Sequence, residues 1–172
     1  VAGFAGRCGA AADGVRTGCF TEPDFLDRTV EWVTERYAPG GDAAPCANLG
    51  AIWADDWVYL ERPGEGAACC SSPTCLSRFR GRLADPYGGL RELNARWGTR
   101  FAGWDEVTPP RPADVRRDPD RWAAAWSDHR AHQDSVVAAY LGLVNRAARA
   151  SWPDARLGLS RTADPTAFNG MD

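Results

Sequence analysis

The chain has 172 residues, 20 of them basic and 23 acidic, for a net charge of −3 at pH 7. That length suits one domain able to bury a real core. The balanced charge, with arginine as the sole basic type and no basic face, argues against a nucleic-acid partner. No apolar run is long enough to cross a membrane, and the Ala/Gly-rich start lacks the apolar core of a signal peptide. The compartment stays open between cytoplasmic and secreted.

In chain order, residues 1–18 are rich in Gly and Ala and read as loop. Thr21, Glu22, Pro23 and Asp24 form a helix start, with a hydroxyl cap, a proline in the first turn and an acid three residues past the cap. Phe25, Leu26, Thr29, Val30, Val33 and Tyr37 then mark one helical face, which Pro39-Gly40-Gly41 ends. Gly50–Asp56 (G-A-I-W-A-D-D) is a short apolar run closed by two acids, the pattern of a buried strand with chemistry at its C-terminal end. A long insertion follows. It holds a cysteine loop, a helix near Cys75–Ala84 and a second helix over Gly89–Trp97, where Leu90, Leu93 and Trp97 share a face. Gly98 ends this helix, because a residue without Cβ takes the left-handed cap at no steric cost.

Phe101 and Trp104 sit on a connector closed by Pro109 and Pro110, a place where aromatics either cover a core or line a ligand cleft. A long helix runs from about Pro119 to Ala150, its buried stripe built from Trp122, Trp126, Val136, Val137, Tyr140, Leu141 and Val144. Pro153 punctuates its end and Arg156–Ser160 reads as the next strand. Helix, strand, helical insertion, helix and strand make a β/α alternation. No internal repeat or second-domain boundary is visible.

The segment Tyr87–Pro110, Y-G-G-L-R-E-L-N-A-R-W-G-T-R-F-A-G-W-D-E-V-T-P-P, resembles the Y-G-x-L-x-x-L-N-x-x-W-G-T-x-F-x-x-W-x-E-V-x-P-P signature of β-galactosidases in family 42 of the glycoside hydrolases and their relatives. Cys75–Leu83 (C-L-S-R-F-R-G-R-L), Trp126–Arg130 (W-S-D-H-R) and Gly158–Asp172 (ending F-N-G-M-D) resemble further segments of that family. The resemblance implies an α/β fold, part of a (β/α)8 TIM-type barrel with about two strands and a long helical insertion. A complete barrel needs about 250 residues, so residues 1–172 are expected to be a partial barrel domain. It also implies a carbohydrate substrate of the β-galactoside type, cleaved with retention by an acid/base and a nucleophile. The longer parent is expected to assemble as a trimer, with no nucleic-acid or membrane partner.

Asp55 and Asp56 close the first strand, and the C-terminal strand ends of β/α barrels hold the active site. By resemblance, Asp56 stands where the family has its acid/base Glu, with Asp55 beside it in the substrate site. Solvated loop acids, or caps of a following helix, are the plainer reading. The nucleophile of the family lies on a later strand than this chain contains, and Glu61, Glu65 and Glu106 fall in loops. Alone, the chain is expected to be inactive. Arg16, three residues before Cys19, matches a substrate-contacting arginine of the family with an offset of one. Trp104 is either a sugar-stacking residue or core.

Of the six cysteines, Cys19 resembles the lone upstream ligand of a structural zinc in the family. Cys69, Cys70 and Cys75 lie where its three-cysteine cluster would be, although their C-C-x4-C spacing departs from it. Four thiolates suit tetrahedral Zn2+, but adjacent cysteines diverge, so disulfides or buried thiols fit the same residues. No other cofactor is expected. His129 and His132, one turn apart, have no H-E-x-x-H pattern around them and read as hydrogen-bonded helix residues, with Asp128 and Arg130 ion-paired to neighbouring helices. Two rivals remain: a non-catalytic carbohydrate-binding relative, and a small interaction domain stabilised by disulfides or metal.

Overall fold

Among the described residues, four of the five helices begin at a proline whose fixed φ suits the first turn, and that punctuation sets the element order. The computed structural model describes residues 19–38, 51–54, 72–153 and 156–159, with the backbone alone for 36, 37, 51–54 and 156–159. The elements are α1 (Pro23–Tyr37), β1 (Ala51–Ala54), α2 (Pro73–Tyr87), α3 (Leu90–Trp97), a 3-10 turn (Trp104–Glu106), α4 (Pro112–Arg117), α5 (Pro119–Ser151) and β2 (Arg156–Leu159).

β1 and β2 pair in parallel, Ala51 opposite Arg156 through Ala54 opposite Leu159. Parallel neighbours cannot be joined by a tight turn, and the connection here carries α2, α3, α4 and α5. The strand pair and the helices between them form one β/α crossover.

Caps fix the helix ends. The Ser72 side chain accepts the Cys75 N–H at 3.1 Å at the start of α2, and Asp118 accepts the Arg121 N–H at 3.1 Å at the start of α5. Gly88 (φ 65°) and Gly98 (φ 61°) end α2 and α3 in the left-handed region. One expected cap is absent. The N-cap of α1 is Glu22, with no side-chain cap bond, and the Thr21 hydroxyl instead lies 2.9 Å from Cys19 Sγ. Thr21 is fully buried, so its hydroxyl goes to the sulfur packed against it, and Pro23 starts the helix unaided.

The core is two apolar clusters strung along α5, a helix of 33 residues and so about 50 Å long. Towards its C-terminal half, Val136, Tyr140 and Val144 pack with Phe20 and with Phe25 and Val33 of α1. Phe20 stacks on Tyr140 with ring centroids 4.3 Å apart. Towards its N-terminal half, Ala125 joins Phe79 and Leu83 of α2, Leu93 and Trp97 of α3, and Val107. Each such buried side chain contributes roughly 1.5–3 kcal/mol. Of the expected stripe, Trp126, Val136, Val137, Tyr140 and Val144 are buried, while Trp122 and Leu141 are half-buried. Between the two apolar stretches α5 buries four polar side chains: His129, Arg130, His132 and Gln133.

The sequence pattern predicts a connector over residues 104–112 and no helix between it and α5, whereas α4 starts at Pro112. Pro112 at its start, Asp114 in the first turn and Arg116 and Arg117 in the last match the helix dipole at both ends.

Candidate functional site

The backbone of β1 ends at Ala54, and Asp55 and Asp56 follow it directly in sequence. Both acids lie outside the described residues, as do Arg16, Cys69 and Cys70. The remaining expected site residues, Cys19, Cys75 and Trp104, are described.

Cys19 and Cys75 are both buried and are not joined to each other by a disulfide. Ser72 links them. Its hydroxyl donates to Cys19 Sγ at 3.4 Å and its Oγ accepts the Cys75 N–H at 3.1 Å. Thr21 N–H also donates to Cys19 Sγ, at 3.4 Å. From the opposite side, His132 Nε2 on α5 lies 3.4 Å from Cys75 Sγ. Burial pushes the His132 pKa down to about 4, with Arg82 acting in the same direction and Cys19 against it. Burial likewise takes His129 down to about 3, helped by His132 and Arg130. Both imidazoles are therefore neutral at pH 7. Among the described residues, no group of three or more His, Cys, Asp or Glu stands close enough to hold a metal ion.

Sequence reading placed both histidines as helix residues but missed the contact between His132 and a cysteine 57 positions away. Position i, i+3 on α5 already put His129 and His132 on one inward face, yet what that face meets is a matter of tertiary packing.

The signature segment is built around Asn94. Its Oδ1 accepts the Phe101 N–H at 2.9 Å and the Thr99 hydroxyl at 2.8 Å, while its Nδ2 donates to the Phe101 carbonyl at 2.9 Å. The loop after α3 is thereby folded back on the helix. Arg80 of α2 holds the next stretch, its Nε donating to the Val107 carbonyl at 2.9 Å and its other arm to the Asp105 carbonyl. Trp104 opens the 3-10 turn, half-buried and packed against the second core cluster beside Phe101 and Trp122. Glu106 accepts the Ala102 N–H at 2.8 Å, a loop contact.

Asp128 departs from the expected inter-helix ion pair. Asp128 accepts neutral donors, Tyr87 and Trp97, because the facing elements offer a phenol and an indole. Arg130 reaches Gln133 at 3.1 Å and Asp134 at 3.9 Å along its own helix.

A parallel strand pair spanned by helices, with two acids directly after the first strand, is the kind of unit from which β/α-barrel enzymes are assembled. The β-galactosidase model of glycoside hydrolase family 42 matches residues 58–154, more than half of the chain, and the chain belongs to that family. The β-galactosidase Bga of Halorubrum lacusprofundi is 33% identical over 127 residues, which are 69% of this chain and 16% of that protein. Among solved structures, the β-galactosidase from Rahnella sp. R3 aligns with a TM-score of 0.63 at 21% identity, over 90% of this chain and 22% of the other. The catalytic domain of the β-amylase from Paenibacillus polymyxa aligns with a TM-score of 0.52 at 18% identity, over 90% of this chain and 48% of the other. These last two likenesses are of fold, to TIM-barrel glycosidases. The chain spans under a quarter of the length of either β-galactosidase.

Proposed function

We propose that this chain is the acid/base-bearing part of a retaining glycosidase acting on β-galactosides or closely related sugars, within a (β/α)8 barrel completed by further sequence. The observation that carries this reading is the parallel pairing of β1 with β2, together with two carboxylates placed directly after β1. In this reading Asp56 protonates the departing glycosidic oxygen and later deprotonates the attacking water, while a second carboxylate about 5–5.5 Å away supplies the nucleophile. Asp55 and Arg16 bind the sugar hydroxyls, and Trp104 offers the free part of its indole face to the apolar face of a pyranose.

Aspartate is one methylene shorter than glutamate, roughly 1.5 Å in reach, and a misplacement of about 1 Å costs on the order of a hundredfold in rate. Asp56→Glu in the barrel-complete protein is therefore expected to raise kcat on an aryl β-galactoside by about that factor, and Asp56→Asn to lower it further. Equal rates for all three proteins would overturn the assignment of Asp56. Absence of turnover in any of them, alongside measurable sugar binding, would favour a carbohydrate-binding role.

The same reading places a structural zinc on Cys19, Cys69, Cys70 and Cys75. Supporting it, two of these thiols are buried on either side of one serine, and thiolates are the donors Zn2+ prefers. A zinc-to-protein ratio of one, lost in Cys19→Ser, is expected from elemental analysis. Assembly as a trimer is expected of the barrel-complete protein, and sedimentation reads it directly.

A further inference from the structure

The turn that carries Trp104 is pinned from outside. It is a 3-10 helix of three residues, Trp104–Glu106, and such turns hold themselves poorly because their hydrogen bonds are few and strained. The internal bonds run from the Glu106 N–H to the Gly103 carbonyl at 3.2 Å and from the Val107 N–H to the Trp104 carbonyl at 3.1 Å. Arg80 adds two more, its Nε donating to the Val107 carbonyl at 2.9 Å and its other arm to the Asp105 carbonyl. Bonds from a charged donor are about twice as strong as neutral ones. Arg80 projects from a fixed base, since Phe79 and Leu83 anchor α2 in the second core cluster. Upstream, Asn94 holds both backbone groups of Phe101, and Glu106 accepts the Ala102 N–H.

Trp104 is the residue that this frame presents. Its indole is half-buried, one part packed against the second cluster and the rest open. The turn belongs to the connection that runs from β1 to β2. In β/α barrels the segments that follow the strands build the rim where substrates bind. An aromatic face stacks on a sugar ring in a set plane and at a set distance. A ring already fixed in that plane gives up less freedom when the sugar arrives, and the affinity gains by the difference.

We propose that Arg80 is a positioning residue for carbohydrate binding: its guanidinium, spanning the Asp105 and Val107 carbonyls, fixes the turn so that the open part of the Trp104 indole is set for a sugar ring before the sugar binds. The proposal rests on the reading of Trp104 as a sugar-stacking residue given above. Arg80 acts through the backbone of the turn and touches no sugar itself. Both of its arms are needed. A lysine ammonium is a point charge and does not reproduce a planar fork laid across two carbonyls.

The test uses the barrel-complete protein labelled with 5-fluorotryptophan, and methyl β-thiogalactoside, a sugar bound without being cleaved, as the probe. The fluorine resonance of Trp104 is identified by its loss in Trp104→Phe. In the unmutated protein this resonance should move as the probe is added, and in the free protein its relaxation should show an indole as restricted as the least mobile ones in the spectrum. A Trp104 ring that is mobile before the probe arrives overturns the proposal, and this measurement needs no folded variant. Arg80→Met is expected to weaken probe binding about 3- to 10-fold, the order of one aromatic stacking contact, and to broaden or shift the Trp104 resonance. Arg80→Lys should lie between. In a Trp104→Ala background, Arg80→Met should cost nothing further, and a further loss there overturns the proposal because Arg80 would then act by another route. If the Trp104 resonance ignores the probe, or Trp104→Ala binds it as tightly as the unmutated protein, the stacking reading has failed and the proposal falls with it. If Trp104→Ala binds weakly while Arg80→Met binds as the unmutated protein does, the stacking reading stands and the role of Arg80 does not.

Discussion

Asp128 Oδ2 accepts the indole N–H of Trp97 at 2.8 Å, and the same oxygen accepts the Tyr87 hydroxyl at 2.5 Å. One carboxylate on α5 thus holds the last turn of α2 and the last turn of α3. Burial raises the Tyr87 pKa and the bond to Asp128 adds to it, which keeps the phenol proton in place as the donor. Removing the acceptor strands two donors at once. Asp128→Ala is expected to cost about 3 kcal/mol, and Asp128→Asn about 1 kcal/mol because an amide oxygen still accepts. Urea denaturation reads both, and a loss under about 0.5 kcal/mol for the alanine variant would show that these bonds hold nothing together.

The turn after α3 should be the most glycine-dependent point of the signature segment. Gly98 has a φ of 61°, and a Cβ there would meet an Arg121 nitrogen at 3.4 Å. That guanidinium donates to the Gly98 carbonyl at 2.8 Å and to the Trp97 carbonyl, closing the C-terminus of α3. Gly98→Ala is expected to lower stability by about 1–2 kcal/mol, and Gly98→Asn by less, because Asn visits the left-handed region more readily. Equal losses for the two, measured by thermal or urea unfolding, would point to crowding of Arg121 and not to backbone strain.

His129 makes stability depend on pH. Its pKa is about 3 in the folded chain against an ordinary value of 6.5. Above pH 6.5 neither state binds the proton, and the full contribution is present. As pH falls below 6.5 the unfolded chain takes up a proton that the folded chain refuses, so stability drops until the folded value is reached. Between pH 7 and pH 5 this one group should remove about 2 kcal/mol. The difference in slope between the unmutated chain and His129→Gln isolates it. Parallel stability profiles over that interval would mean that His129 is protonated in the folded chain.

The two apolar clusters lie at different ends of α5 and have no buried side chain in common. Leu93→Ala, at a fully buried position, should cost about 3 kcal/mol, and Val33→Ala about 2 kcal/mol. Their effects should add to within about 0.5 kcal/mol in the double variant. A larger coupling would show that α5 transmits strain from one cluster to the other.

Local chemistry made much of the molecule legible in the sequence. Pro119 and the spacing from Trp126 to Val144 define α5, Gly98 marks the end of α3, and Phe25, Thr29 and Val33 turn the same way on α1. Each of these depends on residues within a turn or two of one another. Thr21 shows where such rules stop: a good capping residue by type, it pairs its hydroxyl with the sulfur of Cys19 two positions back. Asn94 is equally ordinary as a helix residue, and only the return of the chain at Phe101 turns it into a hub. The meeting of His132 with Cys75 joins α5 to α2 across the intervening α3 and α4, and no periodicity encodes it. The family resemblance is carried by the words of the signature, and the roles proposed for Arg16, Cys69 and Cys70 come from that resemblance.

The in-register pairing of Ala51 with Arg156 also says something about the order of assembly. Two short strands meeting across four helices gain nothing until those helices have already drawn the ends together, since the entropy of closing so wide a loop must be met first. The nascent protein should therefore acquire its helical layer while the first strand still waits, unpaired. Pulsed hydrogen exchange would then find the amides of Ile52 and Trp53 among the last to become protected.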